Sequence, residues 1–197
     1  LGLETKAQSL EKEKTLVQYE SLKQHLNPHF LFNSLTSLRS LIRTDAKTAT
    51  SFLDGMSKVY RYVLKSGEQE LVRLQDELDF VETFVKLQKI RFNEGLDVRI
   101  HVPGSYANKY VVPVTLQNLV ENAIKHNTAD KDSPLLVNIF IDNGYVVVQN
   151  NRQLYRIVET SNKKGLTSLK TLYKYYSDSP VIIYEDEQSF SVKVPLL

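Results

Sequence analysis

The 197 residues contain no cysteine, one methionine, six prolines and seven glycines. Without cysteine there is no disulfide framework and no thiolate metal site, which suits a reducing compartment. No apolar run approaches the roughly 20 residues needed to cross a bilayer. Residues 1–20 are too rich in Lys and Glu to be a signal peptide. A formal charge of +2 is too slight for the concentrated basic face that nucleic-acid binding requires. What is present is ordinary for a soluble globular protein, 42% hydrophobic and 24% charged. The length allows one or two domains with real cores. The opening reads as the middle of a longer helix, so a soluble fragment of a larger protein is expected.

Leu3, Leu10 and Val17 fall at seven-residue spacing, and Leu31 and Leu38 continue the register past Gln24. The intervening Glu, Lys and Gln suit a two-stranded coiled coil or a helix of a dimeric bundle; a solvated single helix is the other reading. Within LNPHFLFNSLTSL, residues 26–38, Leu31, Leu35 and Leu38 form an apolar stripe with Phe32 beside it. His29 and Asn33 lie four apart and share another face. Pro28 removes a backbone donor and is expected to bend the helix, at roughly 3 kcal/mol in a helix interior. That bend would turn the imidazole away from the packed seam. From the residues alone His29 is either an ordinary half-buried histidine or a presented one.

The helical pattern continues over residues 46–65 through Phe52, Leu53, Met56, Val59, Tyr60, Val63 and Leu64, and Ser66 and Gly67 end it. A further helix is expected over 74–92, with Leu74, Leu78, Val81, Val85 and Phe92 on one face. Its first turn carries Gln75, Asp76 and Glu77, placing acid near the positive helix N-terminus. Asn93-Glu94-Gly95 breaks the pattern and divides a helical region, 1–94, from a mixed region, 95–197.

In the second region Leu96, Val98, Ile100 and Val102 alternate as a strand closed by Pro103-Gly104. Residues 114–126 are helical. Val137, Ile139 and Ile141 alternate again, and Asp142-Asn143-Gly144 signals a hairpin into Tyr145 to Val148. Residues 150–164 form a long loop of the kind that serves as a functional lid. A helix over 166–176 and strands over 181–184 and 190–194 follow. The fold class expected is α+β: an N-terminal helical hairpin or dimerisation bundle, then a two-layer α/β sandwich with helices on one face of a mostly antiparallel sheet.

The helix at 114–126 carries an unusual polar load. Asn118, Asn122 and His126 stack at successive i, i+4 positions, and Glu121 and Lys125 share the adjoining face. An Asn oxygen is a hard neutral ligand suited to Mg2+, which keeps several waters and bridges to substrate phosphates. Lys125 and His126 are a cation and a donor suited to those phosphates. A solvated helix face is the alternative, and asparagine is poorly suited to helix interiors.

Together, LNPHFLFNSL at 26–35 and LQNLVENAIKH at 116–126 resemble the LytS-type bacterial sensor histidine kinases. FLDGMSKVYRYVL, LQDELDFVETFVKLQKIRF and the terminal SVKVPLL are similar to that family too, so the resemblance covers nearly everything from Ser21. It implies a helical dimerisation and phosphoacceptor region joined to an ATP-binding domain of the gyrase–Hsp90–histidine kinase–MutL type. By it His29 is the phosphoacceptor and Asn122 the magnesium-binding residue, with Asn118, Glu121, Lys125 and His126 around the nucleotide phosphates. It implies ATP and Mg2+ as cofactors and a homodimer through the N-terminal helices. The partner is a response regulator whose aspartate takes the phosphoryl group, often one with a LytTR-type DNA-binding domain. The setting is the cytoplasmic portion of an inner-membrane protein whose membrane segments lie upstream of Leu1.

Chemically, a neutral imidazole attacks the γ-phosphorus while alignment and charge neutralisation do the rest. An ordinary pKa of about 6.5 leaves most of a histidine neutral near pH 7. Glu121 is the candidate base from a docked domain, and Asn33 is placed to orient the imidazole or a hydrolytic water. The sequence departs from the family in two places. Where many relatives carry DxGxG, with an Asp for the adenine amino group, this chain reads VVVQNNRQ, with Asn150 at the Asp position and neither glycine. The later phosphate loop keeps only Gly165 and Leu166 after Ser161-Asn162-Lys163-Lys164. Lys163 or Lys164 is expected to compensate by contacting phosphate there, and Gly165 is expected to open a helix whose N-terminus favours anions. Two functions stay open: an active autokinase, or a kinase-like dimeric signalling scaffold with little or no ATP turnover.

Overall fold

The computed structural model describes residues 28–153 and 163–197, with the backbone alone at 28, 29, 163 and 164. The heptad expected over residues 3–24 lies outside the described residues, as does 154–162 of the expected lid. Helix α1 is described over Pro28–Thr44, and the bend expected at the proline falls at the edge of the described residues. It folds back into α2, Ala46–Ser66, whose N-cap Asp45 accepts from the Thr48 amide at 3.0 Å and the Thr48 hydroxyl at 2.6 Å. Ala49, Phe52, Met56, Val59 and Val63 recur every three or four residues and are buried, as the pattern requires.

A two-residue strand β1, Val72–Arg73, leads into α3, Leu74–Phe92. Strand β2 is Leu96–His101 and β3 is Tyr110–Val111. Then come α4, Thr115–His126, and strands β4, Leu135–Asp142, and β5, Tyr145–Asn151. Helix α5, Lys163–Tyr173, and strands β6, Ile182–Glu185, and β7, Ser189–Pro195, complete the order. The sheet runs β2-β4-β5-β7-β6, parallel between β2 and β4 and antiparallel elsewhere. Asn143 and Gly144, both at positive φ, turn the β4–β5 hairpin. Leu135, Val137 and Ile139 of β4, Val146 and Val148 of β5, and Val192 and Val194 of β7 supply the sheet's share of the core.

Three features depart from expectation. Helix α5 begins at Lys163 and ends at Tyr173, so Gly165 lies inside its first turn instead of opening it. Strand β5 runs to Asn151, so Asn150 is part of the ladder, opposite Val137 and Phe190, and not of the loop. A ribbon of β1 and β3 was not anticipated; Tyr110 is pinned there by reciprocal backbone bonds of 2.9 Å with Leu197.

Helix α3 buries more than one stripe: Leu74, Glu77, Leu78, Phe80, Val81, Phe84, Val85, Leu87 and Gln88. It is packed on one side by α2 and on the other by α4 and β2. One hydrophobic cluster consequently runs from Phe52 to Val194, across the division at residue 94. At that division Gly95 comes so close to the Ala129 carbonyl that an added Cβ would lie 2.2 Å from its oxygen. Only glycine permits this approach.

Candidate phosphotransfer site

Helix α4 starts without a cap of its own. Its N-cap position is Val114, held in the left-handed region at φ 63°, an uncommon place for a β-branched residue. The amides that a cap would satisfy are bonded by Glu77 of α3. Glu77 Oε2 accepts from Val114 N at 3.0 Å, Oε1 accepts from Leu116 N at 3.0 Å, and the Tyr62 hydroxyl donates to Oε2 at 2.7 Å. The carboxyl is fully buried. Burial pushes its pKa up to about 7, against the pull of the three donors. The Tyr62 phenol is pushed up too, first by burial and then by the Glu77 charge, so it stays a donor.

From that anchored start the polar face unrolls. Asn118, Glu121, Asn122 and His126 are half-buried and Lys125 is exposed; each has a polar or electrostatic partner, as does Asn33 of α1. Gln117 is buried and donates to Glu121 Oε2 at 2.6 Å. Burial, and after it the Glu121 charge, pushes the Tyr60 phenol of α2 upward. The Phe30 ring lies 6.2 Å from the Tyr60 ring and 5.3 Å from Phe84. Phe30 is the neighbour of His29 in the first turn of α1. Phe30 thus packs the first turn of α1 onto Tyr60 of α2 and Phe84 of α3.

The far end of α4 is tied to the segment that departs from the glycine pattern. Asn127 donates to Ala123 O at 2.9 Å and accepts from Gln153 N at 2.7 Å. Asn151 and Gln153 both donate to the Pro134 carbonyl, at 3.1 and 2.9 Å. Arg152 pairs with Glu185 at 2.8 Å and donates to the Asp186 carbonyl. Asn150 itself is buried, and its Nδ2 donates to Asn151 O at 2.6 Å. Gly165 is exposed and Leu166 half-buried against the core. Sequence reasoning missed Asn127, Arg152 and Gln153, although Asn127 directly follows the LQNLVENAIKH run. It also missed Glu77, whose place near a helix start pointed to its own helix and not to α4.

The donor set suits a magnesium nucleotide. Neutral amide oxygens at Asn118 and Asn122 match the preference of Mg2+ for hard ligands, and the exposed Lys125 is a cation of the kind that phosphates attract. Among the described residues no three His, Cys, Asp or Glu side chains gather as a metal cage.

Comparison with known proteins places these features. The family model for histidine kinase matches residues 17–96. The sensor histidine kinase BtsS of Escherichia coli K12 is 31% identical over 170 residues, 84% of this chain and 28% of that protein. The sensor protein LytS of Oceanobacillus iheyensis is 33% identical over 156 residues, 77% of this chain and 26% of its own length. The chain therefore spans only about a quarter of the length of these relatives. The solved cytoplasmic segment of histidine kinase QseC overlaps 76% of this chain and 93% of its own, at a TM-score of 0.45 and 18% identity, too distant to carry weight.

Proposed function

This chain belongs to the LytS-type sensor histidine kinases, and from that premise we propose that it transfers the γ-phosphoryl group of ATP to His29 and thence to an aspartate of a response regulator. The observation that carries the reading is the polar face of α4, with Asn118, Asn122 and His126 half-buried along it and its first amides held by Glu77, which Tyr62 of the hairpin also reaches. Bound Mg2+ would neutralise phosphate charge and leave the γ-phosphorus open to attack. Asn122, supported by Asn118, holds the metal through its amide oxygen. Lys125 and His126 meet the phosphates, with Lys164, Gly165 and Leu166 closing from the start of α5. Asn150 presents its amide oxygen to the adenine amino group. Glu121 accepts the proton that the His29 imidazole sheds, and Asn33, one turn along, orients the ring. As the imidazole nitrogen bonds to phosphorus, the bond to the bridging oxygen breaks and ADP leaves.

The helical layer on one face of a mixed sheet supports an ATP-binding domain of the gyrase–Hsp90–histidine kinase–MutL type, with the phosphoacceptor region ahead of residue 95. Phe32, Leu35 and Ile42 of α1 and Leu53 and Leu64 of α2 are exposed apolar side chains, which supports homodimerisation through the hairpin. Among the described residues no helix is long and apolar enough to cross a membrane.

Incubation with γ-labelled Mg-ATP tests the reading: acid-labile, base-stable label is expected on the wild type and none on His29→Ala. A second reading, a signalling scaffold without turnover, is favoured by one observation. Asn151, Arg152 and Gln153 are all engaged in side-chain contacts where many relatives carry the glycines of DxGxG. No label and no nucleotide-dependent thermal shift would select the scaffold.

A further inference from the structure

We propose that Glu77 and Tyr62 are a positioning pair that ties the attitude of the histidine-bearing hairpin to that of the α4 polar face. The inference rests on the phosphotransfer reading and concerns how its two halves are aligned. Three helices meet at one carboxylate: α2 through the Tyr62 hydroxyl, α3 through Glu77, and α4 through the amides of Val114 and Leu116. Nothing in α4's own sequence caps it. Its first amides instead find an acceptor 37 and 39 residues away in sequence, at the positive end of the helix dipole.

The junction is stiff on every side. The Tyr62 ring stacks on Phe80 at 4.1 Å and 15°, which fixes where its hydroxyl points. Val114 keeps a strained backbone that persists only where its surroundings over-determine it. On the opposite side the Tyr173 hydroxyl of α5 accepts from Val112 N at 3.1 Å and lies 3.4 Å from Thr115 Oγ1. The start of α4 is therefore clamped between the hairpin and α5.

Leverage makes the clamp matter. From Leu116 to Asn122 is about 9 Å at 1.5 Å per residue. A tilt of about 10° at the clamp then moves Asn122 by roughly 1.5 Å, and a misplacement of about 1 Å costs on the order of a hundredfold in a positioned reaction. A turn of α2 is passed through Tyr62 to Glu77 and from there to α4. Both residues act through α4 and neither touches the reactants.

Tyr62→Phe separates positioning from architecture, because it removes one hydroxyl, keeps the stacked ring and leaves Glu77 capping α4. Amide hydrogen exchange of the full chain is expected to accelerate about tenfold in α4 and to stay unchanged in β4 and β5. At saturating Mg-ATP the labelling rate is expected to fall about tenfold while KM changes less than twofold. Glu77→Gln, which also spoils the cap, is expected to raise KM as well. Unchanged α4 exchange in Tyr62→Phe, or acceleration spread evenly through the sheet, overturns the proposal. So does a rate that falls only in step with KM. If the wild type takes no label, the phosphotransfer reading fails, and the exchange measurement still decides whether the pair couples α2 to α4.

Discussion

Replacing Glu77 with glutamine asks whether the carboxyl at the start of α4 is held charged or neutral. Burial raises its pKa from 4.5 to about 7, while the Tyr62 hydroxyl and the amides of Val114 and Leu116 oppose the rise. An acid whose folded pKa exceeds its unfolded one contributes stability that is complete below the unfolded value and is lost as pH climbs through the folded one. The window runs from about 4.5 to about 7. At about 1.4 kcal/mol per pH unit the loss approaches roughly 3 kcal/mol. Glutamine does not titrate, and its NH2 group faces amides that need an acceptor, a constant deficit of about 1–3 kcal/mol. Urea unfolding of both proteins at pH 4.5, 5.5, 6.5 and 7.5 gives the difference directly. The advantage of the wild type over Glu77→Gln is expected to be largest at pH 4.5 and to shrink steadily to pH 7.5. A difference that is flat or grows with pH would refute the reasoning, because the three donors would then outweigh desolvation and keep the carboxylate ionised throughout.

Gly95→Ala drives a Cβ to 2.2 Å from the Ala129 oxygen and 2.6 Å from its carbon, and backbone cannot yield as a side chain does. A loss of about 3 kcal/mol is expected, read as a lowered thermal midpoint. Phe30→Ala removes the ring that bridges Tyr60 and Phe84. It should cost about 2 kcal/mol for a part-buried aromatic, and slow the labelling of His29 without weakening nucleotide binding. Asn127→Ala strips the partners from Ala123 O and Gln153 N. The expected cost is about 2 kcal/mol, with Mg-nucleotide affinity reduced severalfold by calorimetry.

Periodicity made most of the elements readable because each buries one face. The stripe Phe52, Met56, Val59, Val63 and the alternation Val137, Ile139, Ile141 need no tertiary knowledge, and Asn143-Gly144 carries its own turn chemistry. The β1–β3 ribbon escaped because two residues per strand have no period. Glu77 escaped for a different reason. Acid in the first turn of a helix has a sufficient local explanation, and only the folded chain turns that carboxyl away from its own helix toward another. The division at Gly95 marks a change of pattern, yet α3 buries side chains toward both regions, which is why its apolar face is wider than one stripe. At the site, the polar face of α4 was legible as spacing. The packing of the first turn of α1 on α2 and α3 was not, since an aromatic such as Phe30 or Tyr60 reads in sequence as plain core.

The bonding along α4 is uneven. Among the described residues, the Tyr60 hydroxyl and Gln117 Oε1 are buried without a hydrogen-bond partner. Each such atom costs about 1–3 kcal/mol, and Gln117 uses its other amide atom, Nε2, to donate to Glu121. The Glu77 side of the same helix satisfies every donor that reaches it. The start of α4 is thus fully bonded through side chains of α2 and α3, whereas one turn in, the Gln117 carbonyl oxygen is unmet, so truncating Gln117 is expected to cost less stability than truncating Glu77.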